Sequence, residues 1–305
     1  MPVTSSRAPR IGIVVTDAYA DEDPDYDTPL LLPALADRGA DAAAVVWHDA
    51  ALDPASFDLL MIRSPWDYPE RPADFAAWLD RAEHATRVVN APATMRWNLD
   101  KAYLGDLERA GVRVVPTTYA TTASAAADAI GALGTVGAVD RVVVKPAVSA
   151  GARDTGLFAA SDPAALALAC RIIGRGDVAM IQPEILELSE GREKALYVIG
   201  GEFTHAIAKG ALLAPGGGFR GGVYRENPVP VDATAGERTF AAEVLRAVQQ
   251  VTGGDLPLYA RVDTVHSARY GLCLLEVELI EPALNLHVAP HVTGILADAI
   301  LRVLA

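Results

Sequence analysis

Positive charge is scarce in this sequence, and lysine is scarcer still. Across 305 residues, 26 Lys and Arg stand against 39 Asp and Glu, a net charge of −13. Such a chain lacks the clustered basic face that phosphate-backbone binding needs, so nucleic acid is not expected as its main ligand. Lys101, Lys145, Lys194 and Lys209 are the only lysines, so the position of each is informative. Cysteine is equally rare. Cys170 and Cys273 lie singly inside apolar runs, without the spacing of a metal site or a disulfide framework, and read as small core residues in a reducing cytoplasm. No run of eighteen apolar residues occurs, and the stretch after Arg10 is too short for a signal-peptide core, so a soluble protein without a membrane partner is expected. Also missing are a Gly-x-Gly-x-x-Gly after the first strand and any Gly-Lys-Ser/Thr, which removes the dinucleotide fingerprint and the P-loop. No fixed-period repeat is visible.

What is present is a globular composition, 51% hydrophobic and 21% charged, in a chain long enough for two or three domains. The first region alternates strands (Ile11 to Val15, Ala43 to Trp47, Leu59 to Ile62, Val88 to Asn90) with helices (Thr28 to Gly39, with Thr28 as N-cap, and Pro72 to His84). It predicts a parallel α/β layer ending near Pro92. A second region opens with one helix, Asp100 to Ala110. There follow a small-residue helix within Thr121 to Val139, a strand Val142 to Lys145, a loop Ser149 to Gly156, a helix Pro163 to Ile173 and a strand Ala179 to Gln182. The third alternates strands Leu196 to Ile199 and Glu202 to Lys209 with a glycine-rich segment, Pro215 to Gly222. A helix Glu237 to Val251, a hairpin of Leu258 to Val265 with Leu272 to Ile280, and a helix Thr293 to Leu304 complete it.

The hairpin carries the most chemistry. Side chains alternate along a strand, so Arg261 and Asp263 share one face, as do Glu276 and Glu278 on the partner, just before Glu281-Pro282. Carboxylates on strands this apolar need partners, and hard oxygen ligands on one face suit Mg²⁺ held partly by substrate phosphates; a solvated outer face is the competing reading. Lys145 ends a β-rich run before the Ser149 to Gly156 loop, whose amides and Arg153 could close over an anion. His205 and Lys209 share a strand face, and Phe219-Arg220 sits inside a glycine-rich segment able to order over substrate or to remain a plain surface loop. Arg63-Ser64-Pro65-Trp66-Asp67-Tyr68 follows a strand at the end where open α/β sheets bind ligands. Arg63 could fork onto a carboxylate, with Trp66 and Tyr68 as walls, or the aromatics could plug an interdomain crevice.

Taken in order, Lys101, Lys145, Gln182-Pro183-Glu184-Ile185-Leu186, Glu193, Lys209, Arg261-Val-Asp263 and Glu276-Val-Glu278 resemble the ATP-grasp superfamily of carboxylate-amine ligases, over about Trp97 to Pro282. The Arg63 to Tyr68, Trp97 to Lys101 and Lys145 to Gly151 segments are similar to its glutathione-synthetase-like group, which includes a cyclo-ligase of antibiotic biosynthesis that forms its amide within one substrate. The resemblance implies an α/β (α+β) ATP-grasp fold. Its N-terminal parallel domain would span 1–97, a linker helix and central small domain 98–187, and a C-terminal domain with metal site and lid loop 188–305.

It implies ATP between two antiparallel sheets, with Lys101, Lys145 and Ser149 on the phosphates and Gln182, Ile185 and Leu186 at the adenine. Glu193 would lie at the ribose, with Glu184 and Glu187 as rival contacts. Lys209, Arg220 and Arg261 would serve the reacting centre, and Asp263, Glu276 and Glu278 would hold Mg²⁺ or Mn²⁺; many family members carry Asn where Glu278 stands. Asp27, Arg63, Ser64, Trp66, Tyr68, Arg153 and Arg220 would face a small amino-acid-like substrate. The implied reaction is ADP-forming: a carboxylate becomes an acyl phosphate that a nitrogen nucleophile captures, without a protein nucleophile. A dipeptide or peptide-tagging ligase and a nucleotide-binding protein without ligase activity are the alternatives, and a homo-oligomer is compatible with either.

Overall fold

The computed structural model describes residues 7–19, 24–135, 141–148, 153–211, 213–216, 218 and 227–305. Three sheets follow one another along the chain. The first is parallel, with strands β1 (Arg10–Val15), β2 (Asp41–Val46), β3 (Leu59–Ser64) and β4 (Arg87–Val89) in the order β2-β1-β3-β4, and helices α1 (Thr28–Ala36) and α2 (Pro72–Ala85) between them. Thr28 is not the N-cap of α1. The Asp25 carboxylate accepts from its backbone N–H at 3.0 Å and from its hydroxyl at 2.5 Å, so an acid three residues upstream closes the turn.

The predicted helix Asp100 to Ala110 is present as α4 (Tyr103–Arg109), and a short helix not expected from the sequence, α3 (Pro92–Asn98), precedes it. Asp100 accepts from the Ala102 N–H at 2.8 Å, a local side-chain bond that competes with continuous helix. The second sheet is antiparallel: β5 (Thr118–Ala120), helix α5 (Ala123–Thr135), β6 (Arg141–Pro146), β7 (Gly156–Ala159), helix α6 (Pro163–Gly174) and β8 (Ala179–Pro183), ordered β5-β8-β6-β7. After the short helix α7 (Leu186–Ser189) comes the third, also antiparallel. It contains β9 (Glu193–Ile199), β10 (Glu202–Lys209), β11 (Val229–Val231), β12 (Tyr259–Ser267) and β13 (Gly271–Glu278), ordered β11-β10-β9-β12-β13, with helix α8 (Ala235–Thr252) before β12 and helix α9 (His291–Leu304) at the end.

One core joins the first and third sheets. Ile11, Ile13, Leu59 and Met61 pack with Tyr197, Tyr259, Leu296 and Ile300, all buried. Polar bonds lock this junction: the Asn90 amide donates to the carbonyls of Tyr259 and Leu279 at 2.9 and 2.8 Å and accepts from the Leu258 N–H at 2.6 Å. The outer edge of β13 is clamped in the same way. Asn98 donates to the Val277 carbonyl and accepts from the Leu279 N–H, while the Tyr103 hydroxyl bonds both backbone groups of Val277. An edge strand whose backbone is thus satisfied holds its side chains in a fixed register.

Candidate active site

The register of the third sheet gathers its charges. Arg261 pairs with Glu278 and Asp263 with Glu276 across β12 and β13, and Lys209 pairs with Glu193 across β10 and β9. Asp263, with no exposed surface, lies between two cations: the Lys209 ammonium at 2.7 Å and the Arg261 guanidinium at 2.9 Å. Lys209 also meets Glu193 at 3.1 Å, and Arg261 meets Glu278 at 2.5 Å. Carboxylate oxygens of Asp263, Glu276 and Glu278 lie within 4.8 Å of one another. Three hard oxygen donors at that spacing fit a divalent cation such as Mg²⁺.

The second sheet brings its lysine to the same place. Lys145 is half-buried near Glu276, Glu193 and Lys101; desolvation lowers its pKa, Lys101 adds to this, and the two glutamates oppose it. Lys101 stands 3.6 Å from Glu276, with its backbone N–H on the Ala147 carbonyl at the end of β6. Burial alone would raise the Glu276 carboxyl, but Lys101, Lys145, Lys209 and Arg261 outweigh it and hold the group well below the usual range. Glu278 goes the other way: burial and the neighbouring Glu276 and Asp263 push it up against the pull of Arg261. Three lysines and an arginine around adjacent acids form a site that can neutralise a polyphosphate and a metal together.

With this geometry in place, likeness to known proteins becomes specific. A family model described as the N-terminal domain of D-cycloserine synthetase DcsG matches residues 11–90. Over 273 residues, 86% of this chain and 88% of the relative, the sequence is 36% identical to the cycloserine biosynthesis protein DcsG of Streptomyces lavendulae. The chain belongs to the DcsG family. A crystal structure of D-cycloserine synthetase DcsG aligns with a TM-score of 0.88 at 32% identity, over 97% of this chain and 100% of that one. The fold extends to an ATP-grasp RimK domain protein of Sphaerobacter thermophilus (TM-score 0.64, 21% identity, 95% and 98% of the two chains). It extends also to D-alanyl-alanine synthetase A of Vibrio cholerae (0.68, 13%, 97% of each). The chain is thus an ATP-dependent ligase with the ATP-grasp fold.

Within this family framework, the residues expected at the nucleotide are placed as follows. Gln182 is buried, donating to the Thr117 hydroxyl at 2.8 Å, and Ile185 is buried with Val115, Val265 and Cys273, whereas Leu186 is exposed. Glu184 meets Arg141 at 3.1 Å and accepts from Ser189, and Glu187 accepts from the Ala268 N–H at 2.8 Å. Both rival carboxylates therefore fasten neighbouring strands, while Glu193 stands among the site's cations. Ser149 and Arg220 lie outside the described residues, as do Phe219 and most of the glycine-rich segment; its Gly216 donates to the Leu157 carbonyl of β7 at 2.8 Å.

The expected substrate side sits at the junction of the first and third sheets. Arg63 has no exposed surface and donates to the Pro282 carbonyl, with Asp27 at 3.7 Å. Asp27 accepts from the backbone N–H groups of Leu284 and Leu286, and Ser64 donates to Asp25 at 2.5 Å. Trp66 donates to the Glu281 carbonyl at 3.0 Å, and Tyr68 packs tilted against Phe75. Arg153 is exposed and meets Glu70 at 2.8 Å. His205 is buried, stacked on Tyr197 at 4.1 Å and bonded to the Leu284 carbonyl, and Lys194 points to the opposite sheet face, 3.0 Å from Glu237 of α8.

Proposed function

We propose that the chain is an ADP-forming ligase of cycloserine biosynthesis that activates the carboxylate of O-ureidoserine as an acyl phosphate and closes the ring by attack of the oxygen-linked ureido nitrogen, which expels phosphate and gives up its proton; loss of the carbamoyl group to water as carbon dioxide and ammonia then leaves cycloserine. The observation that carries this reading is the convergence of Lys101, Lys145, Lys209 and Arg261 on Asp263, Glu276 and Glu278 in a chain with so few lysines. The division of labour follows the chain: residues 1–97 serve the substrate side, 98–187 cover the nucleotide, and 188–305 carry the metal site and lid.

Lys101 and Lys145 hold the phosphates of ATP, with Ser149 beside them, while the backbone of Gln182 to Glu187 and the Glu193 carboxylate serve base and ribose. Asp263, Glu276 and Glu278 would hold Mg²⁺, which supplies charge neutralisation on the phosphates when bound. Lys209 and Arg261 then trade part of their contact with Asp263 for the charge that develops on the transferred phosphoryl group and the tetrahedral centre. Trp66, Tyr68, Arg153 and Arg220 enclose the substrate, and Asp27, Arg63 and Ser64 hold the loop beneath it. Water must be kept from the activated carboxylate, because an acyl phosphate hydrolyses. Among the described residues no helix is long and apolar enough to cross a membrane; a small amino-acid-like substrate and a cytoplasmic setting suit the acidic chain and its two free cysteines.

An ADP-release assay with Mg²⁺ and a panel of amino-acid derivatives tests this. O-ureidoserine-dependent ADP release is expected, with its loss in Lys145→Ala and Asp263→Ala. Tight ATP binding with no product from any acceptor would instead identify a nucleotide-binding protein, and transfer of labelled amino acids to a polypeptide would identify a peptide-tagging ligase.

A further inference from the structure

Glu276 and Glu278 stand on a strand that its neighbour does not hold by itself. β13 is the last strand of the five in the third sheet, and its ladder to β12 is interrupted beside the metal ligands: Asp263 pairs with Glu276 but Thr264 pairs with Leu274, so Leu275 is an extra residue. Such a bulge bends a strand and leaves one residue unpaired. Past a bridge from Leu274 to Val114, side chains take the place of a sixth strand on the outer edge. The Tyr103 hydroxyl donates to the Val277 carbonyl at 3.0 Å and accepts from the Val277 N–H at 2.9 Å. Asn98 donates to the same carbonyl at 2.8 Å and accepts from the Leu279 N–H at 2.9 Å. Val277 lies between the two glutamates, so fixing its peptide groups fixes the direction in which both carboxylates leave the strand. Both side chains come from one connection: Asn98 ends α3, Tyr103 starts α4, and Lys101 lies between them, 3.6 Å from Glu276 and with its backbone N–H on the Ala147 carbonyl. The Tyr103 ring is pinned in turn. It is buried against Trp97 at 5.1 Å, and the Trp97 indole N–H donates to Asp106 of α4 at 2.9 Å.

We propose that Tyr103 is a positioning residue for the divalent cation: through Val277 it sets the spacing and direction of the Glu276 and Glu278 carboxylates, with Asn98 assisting. The proposal rests on the reading of Asp263, Glu276 and Glu278 as metal ligands and adds what aims two of the three. Mg²⁺ demands near-ideal octahedral geometry, so a carboxylate tilted off its place binds it less well although the ligand itself is unchanged. Groups that orient metal ligands are commonly worth about ten- to a hundredfold in metal affinity. A phenol suits this post because one hydroxyl donates and accepts at once. Lys101 rides on the same connection, so two metal ligands and a phosphate lysine are referred to one short piece of chain.

The test is Mn²⁺ binding to the full chain carrying a non-hydrolysable ATP analogue, read by electron paramagnetic resonance. Tyr103→Phe keeps the ring against Trp97 and deletes both bonds to Val277; it is expected to weaken Mn²⁺ about tenfold, and Asn98→Ala by a smaller factor. Affinity for the analogue without metal should stay at the unaltered level in both. In turnover, the Mg²⁺ concentration for half-maximal ADP release should rise while the maximum is kept. A purely structural role would lower the melting temperature and leave the Mn²⁺ affinity of the folded chain where it was. That result, or an equal loss of metal-free nucleotide binding, overturns the role of Tyr103; should Tyr103→Phe fail to fold, Asn98→Ala decides in the same way. Failure of the metal reading appears separately, as unchanged Mn²⁺ affinity in Glu276→Gln, and the role of Tyr103 falls with it. Absence of ADP release from the unaltered chain would sink the ligase reading alone, and the Mn²⁺ titration would still decide for or against Tyr103.

Discussion

Two buried polar regions of this molecule look alike in composition and behave differently. At the sheet junction, Asn90, Asn98, Tyr103, Asp27 and Arg63 bond to backbone atoms of distant segments, so each side chain holds a piece of chain in place. In the β9 to β13 cluster, Lys209, Arg261, Asp263, Glu276 and Glu278 bond to one another. Backbone partners cannot leave without unfolding something, whereas charged side chains can exchange each other for phosphate or metal. Buried polar groups thus divide into locks and ligands according to what they touch.

The largest expected effect comes from breaking the exchangeable cluster. Asp263→Ala should lower ADP release by roughly 10³-fold, because it removes a carboxylate at the reacting phosphates and leaves two cations unbalanced. Nucleotide titration and melting curves separate the chemical from the structural part of that loss. On the other side of the comparison, Asn90→Ala removes four hydrogen bonds, one of them long, at about 1 kcal/mol for each short one, so urea unfolding should register a loss of roughly 3 kcal/mol. Its kcat per folded molecule should change little. Were Asn90→Ala to lose turnover at full stability, the distinction between locks and ligands would fail.

That distinction also explains what was legible in the sequence. The Arg261, Asp263, Glu276 and Glu278 cluster could be read because strand alternation is local: two residues of spacing put side chains on one face whatever the remainder of the fold does. Most strands were legible as apolar runs, but β5, β7 and β11, of three or four residues each, were not. Arg63 was not. A residue at the carboxyl end of a parallel strand looks the same whether it faces an open crevice or a carbonyl 219 residues away, and its bond to Pro282 has no local signature. Helix α3 was missed because its seven residues are too few for a helical apolar period to show.

A third prediction concerns protons. Burial lowers the His205 pKa from 6.5 to about 4, with the bond to the Leu284 carbonyl opposing the shift and the nearby His291 adding to it. The unfolded chain therefore binds a proton that the folded chain refuses. This contribution is complete above about pH 6.5 and is lost progressively as pH falls toward 4. His205→Gln should flatten the fall in stability between pH 7 and pH 4.5 by roughly 2 kcal/mol. An unchanged slope in paired denaturant titrations would show that His205 is not what couples this core to acid.

The smallest effect is the sharpest comparison, because it sets one lysine against the other three. Lys194 neighbours Glu193 in sequence, yet alternation along β9 turns it to the face covered by α8, where it meets Glu237 at 3.0 Å and the Asp232 carbonyl at 3.2 Å. Glu237 is held independently by the Thr234 capping box that starts α8, so the helix keeps its N-terminal bonds without the lysine. Lys194→Met keeps the aliphatic stem and deletes a partly exposed ion pair, which should cost less than about 1 kcal/mol in thermal unfolding. ADP release should stay at the unaltered level, while Lys145→Ala abolishes it. Equal loss of activity in the two variants would mean that charge lost anywhere on this sheet disables the enzyme, and that the face a lysine occupies carries no meaning.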